Sequence, residues 1–98
     1  MRIMSEKIMT LHPAGKQGVN ISKAKYDVIK DAILSQLSQA GELTFTGLTD
    51  AVKAQLGDSF DGSVGWYVTT VKLDLEAQGL IERIPGHRPQ MLRLTSGG

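Results

Sequence analysis

Two histidines, His12 and His87, are the residues best suited to proton transfer or metal ligation, and no cysteine accompanies them. Such roles need a carboxylate or a second ligand at a fixed spacing. Each histidine instead stands in a loop punctuated by Pro and Gly, and the sequence sets no carboxylate at such a spacing from it. The missing cysteine excludes disulfide scaffolds, thiolate zinc sites and thiol nucleophiles. Gly15-Lys16-Gln17-Gly18 contains the Gly-Lys pair of a phosphate loop, but Thr10 occupies the position of the leading Gly, and Gln17 stands where Ser or Thr must follow the Lys. Gly62-Ser63-Val64-Gly65 precedes a helical pattern and could hold an anion at a helix start, with capping and close packing as its simpler role. No Ser/His/Asp or paired-carboxylate arrangement stands out. The chain therefore reads as a non-enzyme, with no metal and no cofactor.

The remaining chemistry lies in the distribution of charge. The formal net charge of +1 conceals a division. Residues 1–30 hold six cations against two acids, residues 31–82 two cations against eight acids, and residues 83–98 three arginines and no acid. Both ends are basic and the centre is acidic, a division that matters for partner choice. Arg83, His87, Arg88 and Arg93 surround a Pro/Gly-rich loop that could grip phosphates, with Lys16 adding a contact from the N-terminal arm. An ordinary solvated hairpin is the alternative.

Positioning these groups requires a folded scaffold. Ninety-eight residues, 41% hydrophobic and 21% charged, suit one globular domain. No apolar run approaches the ~20 residues of a membrane span, and residues 1–21 lack the apolar segment of a signal peptide. A cytoplasmic location is expected, with no membrane partner.

Residues 1–21 read as an irregular arm: Ile8, Leu11, Val19 and Ile21 are apolar anchors around the breaker stretch from His12 to Gly18. Ser22 can cap a long helix whose stripe is Tyr26, Ile29, Ile33 and Leu37, ending at Gly41. Leu43-Thr44-Phe45 suits a short strand, and Thr46 can cap a second helix with Leu48, Ala51, Val52 and Leu56 on one face. Ser63 can cap a third helix carrying Val64, Val68, Val71 and Leu75 inward, ending at Gly79. Residues 80–84 and 91–95 are strand-like and flank a hairpin loop, while residues 96–98 read as a disordered tail.

The order helix, short strand, helix, helix, strand, strand is that of an α+β winged helix, spanning residues 22–95. The run Val71-Lys72-Leu73-Asp74-Leu75-Glu76-Ala77-Gln78-Gly79-Leu80-Ile81-Glu82-Arg83 resembles the end of a winged helix-turn-helix third helix turning into its wing. More closely, Trp66-Tyr67-Val68-Thr69-Thr70-Val71-Lys72 together with the Gly15-Lys16 arm resembles an uncharacterised bacterial family of winged-helix-like proteins of unknown function. The resemblance implies a fold and almost no activity. The loop between the second and third helices exceeds the usual three or four residues of a DNA-binding helix-turn-helix.

In winged-helix regulators the outward face of the third helix enters the major groove. At about 100° per residue from Val71, the far side of this helix carries Trp66, Thr69, Thr70, Leu73 and Ala77, and Lys72 is the only base on the whole helix. Two functions follow. The first is a nucleic-acid-binding or transcription-regulatory module that contacts double-stranded DNA through Lys16, Thr69, Thr70, Lys72, Arg83, His87, Arg88 and Arg93. The second is a protein-interaction or homodimerisation module that uses Trp66 and Leu73, because an apolar outward face calls for a cover. That cover is the chain's own arm, a second copy, or a separate protein or ligand.

Overall fold

Short polar residues set the helix starts and glycines their ends. In a computed structural model that describes residues 7–12, 15, 18–86 and 89–95, the Ser22 hydroxyl accepts the Lys25 amide at 3.3 Å, opening α1 (Lys23–Ala40). The Gly41 amide then closes on the Leu37 carbonyl at 2.8 Å. The Ser63 hydroxyl accepts the Trp66 amide at 3.1 Å to open α3 (Val64–Gln78). At its end Gly79 turns left-handed with φ of 80°, its amide bonds the Glu76 carbonyl, and the Leu80 amide bonds the Leu75 carbonyl at 3.0 Å. This paired closure needs a residue free of a Cβ penalty at the turn, which Gly79 supplies.

One start differs from expectation. The second helix, α2 (Phe45–Leu56), begins before Thr46, and its cap is Thr44, whose hydroxyl accepts the Gly47 amide at 2.9 Å. Thr44 closes the short strand β3 (Glu42–Thr44) in an extended conformation, so its side chain can fold back over the first helical turn. Phe45 thereby becomes a helix residue. A 3-10 turn (Gly57–Ser59) and an irregular stretch to Ser63 then separate α2 from α3.

The wing consists of β4 (Ile81–Arg83) and β5 (Met91–Leu94), antiparallel, and β3 pairs with the other edge of β5 to give the order β3-β5-β4. The three helices and the inner sheet residues share one core built from Ile29, Ile33, Leu37, Leu48, Val52, Val68, Val71, Leu75, Ile81 and Leu92. This is the winged-helix arrangement, with an added N-terminal element. Within the segment expected to be irregular, residues Lys7–Met9 and Asn20–Ser22 form a small antiparallel ladder; these strands are β1 and β2. Thr10 extends the ladder: its amide donates to the Val19 carbonyl at 2.9 Å, and its hydroxyl accepts the Val19 amide at 3.0 Å. Gly18 is required there, because a Cβ on it would lie 1.7 Å from the Thr10 carbonyl oxygen.

Candidate functional site

Helix α3 divides its neighbours by angle. Val68, Val71 and Leu75 are fully buried and Val64 is half-buried, which turns Trp66 and Thr69 outward. Trp66 is 48% exposed and meets Tyr67 edge-on, with ring centroids 4.9 Å apart. Tyr67 in turn meets Phe60 edge-on at 5.2 Å. The Thr69 hydroxyl donates to the Gly65 carbonyl at 3.0 Å, one turn back on its own helix.

The arm covers part of this face. A small cavity of about 100 Å³ lies between Thr10, Leu11, His12, Gly18 and Val19 of the arm and Thr70 and Leu73 of α3. Leu73 is accordingly half-buried, whereas Trp66 keeps its exposure. The link between arm and helix is Asp74, 2% exposed. Its carboxylate accepts the Leu11 amide at 2.8 Å, the Tyr26 hydroxyl, and the Gln78 side-chain amide at 2.5 Å. Burial, and then the hydrogen bond and negative charge of Asp74, push the Tyr26 phenol up to about 12. In the sequence Asp74 appeared only as one acid beside Lys72. Its helical angle, at the rim of the buried stripe and on the side of α1, was the available signal.

Lys72, expected as a DNA contact, is 6% exposed, and its ammonium lies 3.3 Å from Glu76. About 100° from Val71 lies the flank toward the start of α2, where the Phe45 ring sits 5.4 Å from the Lys72 nitrogen. Burial lowers the Lys72 pKa, and the charge of Glu76 opposes that shift. Glu76 also accepts from Arg83 at 3.3 Å, so one carboxylate joins helix and wing. Arg93 bonds Glu82, its cross-strand neighbour, at 2.6 Å. The described bases assigned to phosphate contact, Lys72, Arg83 and Arg93, are thus each paired with an acid. Lys16, His87 and Arg88 lie outside the described residues.

The structure therefore brings Trp66, Thr69 and Leu73 onto one apolar face, sets Thr70 beneath the arm, and places the wing arginines on a different flank. Among the described residues, no group of three His, Asp or Glu could hold a metal ion, and no described helix is long and apolar enough to cross a membrane.

Residues 7–92 match the family model described as a family of unknown function (DUF6958). The chain belongs to this family. No curated protein and no solved structure matches it. The matched span takes in β1, β2, all three helices and nearly all of the wing, so the arm belongs to the family's unit together with the winged-helix core.

Proposed function

We propose that this family member is a winged-helix interaction module that docks a second copy of itself through the outward face of α3. The observation that supports it is Trp66, half-exposed and braced edge-on by Tyr67, on a face where Thr69 and Leu73 are its neighbours, while Lys72, the one base of α3, is paired with Glu76. A helix that reads DNA needs Arg, Lys, Asn or Gln aimed at base edges. This one offers an indole and a leucine one above the other, the chemistry of an interface anchor. A two-fold pairing would set each Trp66 against the same surface of the other copy.

Sedimentation velocity across micromolar to near-millimolar protein tests this. A concentration-dependent dimer is expected, and Trp66→Glu should return it to a monomer with an unchanged far-UV spectrum. Trp66 is a better probe than Leu73, because Leu73 also lines the cavity shared with the arm. A wild-type chain that stays monomeric at the highest concentration overturns the proposal.

A second reading, nucleic-acid binding with transcription regulation as its outcome, draws on the wing. The side chains of Arg83 and Arg93 are 53% and 45% exposed, so either guanidinium could exchange its carboxylate for a phosphate. Duplex DNA titrated at several salt concentrations would then show affinity falling steeply with salt, and Arg88→Gln would flatten the slope. Absence of binding at low salt removes this reading.

A further inference from the structure

The start of α1, the end of α2 and the α2–α3 connection line an open cavity of about 290 Å³. Ala24, Val28, Leu56 and Phe60 supply apolar walls, and Lys25, Ser59 and Asp61 form the rim. Val28, in this lining, is an exposed large hydrophobic residue of α1.

Lys25 is the informative residue. It sits in the first turn of an 18-residue helix whose first turn contains no acid, where the helix dipole disfavours a cation. Its ammonium is held 5.5 Å from the Tyr67 ring centroid and 5.9 Å from that of Phe60, the aromatic residue of the cavity wall. Its carboxylate neighbour, Asp61, stands 3.8 Å away with a side chain 99% exposed. That pair is at the outer limit of an ion contact and is weakened by water. Gly62 lets the loop pass this close: its φ is +126°, and a Cβ there would lie 3.2 Å from the Tyr67 ring. A residue that departs from local preference and is fixed by tertiary contacts at the mouth of an apolar cavity is the pattern of a ligand site.

We propose that this groove binds a small amphipathic carboxylate: an aliphatic chain lying on Ala24, Val28, Leu56 and Phe60, with its carboxylate against Lys25 in the place Asp61 now loosely fills. The chemistry at Lys25 is unchanged by that exchange, and the ligand additionally removes apolar surface from water, which Asp61 cannot do. At about 30 Å³ per water-sized group, the cavity has room for roughly ten such groups, which suits a medium-length chain.

Decanoate, titrated below its micelle concentration against the full chain, provides the test, with amide nitrogen–proton shifts as readout and decanol as the uncharged control. Saturable shifts confined to residues around Ala24, Val28 and Phe60 are expected, with decanoate bound at least tenfold more tightly than decanol. Lys25→Gln should erase that tenfold difference and leave decanol binding as it was. Val28→Glu, a change at an exposed position, should weaken both ligands with the fold retained by far-UV spectroscopy. Equal affinity for decanoate and decanol overturns the proposal, as do shifts spread over the whole chain or decanoate binding indifferent to both substitutions.

Discussion

Replacing Asp74 by Ala tests how the arm is held to helix α3. The carboxylate accepts three donors: the Leu11 amide, the Tyr26 hydroxyl and the Gln78 amide. Hydrogen bonds to a charged acceptor contribute about 1.5–3 kcal/mol each, but the three losses do not add in full. The Leu11 and Gln78 residues border solvent and regain water, while the buried Tyr26 hydroxyl keeps Gln78 as its remaining partner, at 3.1 Å. The expected destabilisation is about 2–4 kcal/mol, seen as a lower urea midpoint and a fall in Tm of roughly 10–30 °C for a chain of this size. Asp74→Asn retains the shape and one acceptor oxygen and should lose about half as much. Amide exchange supplies the more specific readout. In Asp74→Ala the Leu11 amide should exchange nearly as fast as an unprotected amide, under conditions where Ile29 in the core remains protected. A loss below about 0.5 kcal/mol, within the range of ordinary surface changes, or unchanged protection at Leu11, would refute the idea that Asp74 clamps the arm.

Three further outcomes are expected. Burial favours the neutral Tyr26 phenol, which holds its proton up to about 12 in the folded state against about 10 in the unfolded chain. Stability should therefore be intact below pH 10 and fall by on the order of 2 kcal/mol between pH 10 and 12; urea midpoints that show the same decline in Tyr26→Phe would contradict this assignment. Glu76→Ala strands the buried Lys72 ammonium and should cost about 3–5 kcal/mol, whereas Lys72→Met leaves Glu76 with Arg83 and should cost clearly less; equal urea midpoints for the two variants would count against the shared carboxylate. Gly18→Ala places a methyl 1.7 Å from the Thr10 carbonyl oxygen, so the Thr10 amide should lose its exchange protection while the Ile33 amide keeps its own, and a Thr10 amide still protected would show that the arm tolerates the methyl.

Much of the architecture was legible from residues 22–95 alone. Ser22, Ser63, Gly41 and Gly79 act within one helical turn of themselves, and the spacing of Val68, Val71 and Leu75 places one face inward whatever it packs against. Trp66 turned outward for the same reason. The start of α2 was misplaced because Thr44 and Thr46 are both competent caps. The choice between them follows the end of β3, and the Phe45 amide there donates to the Gln90 carbonyl, far along the chain.

What the sequence by itself determined is therefore what short-range forces determine: the helices, the inward stripe, the hairpin wing and the outward indole. Tertiary structure alone decided which charges are available and what the arm does. Asp74 meets Leu11 across 63 positions and Tyr26 across 48, and Lys72 is buried because α2 begins with an aromatic ring over it. Such pairings depend on how the elements pack against one another, and periodicity along one helix carries no record of the neighbour that a flanking residue will face.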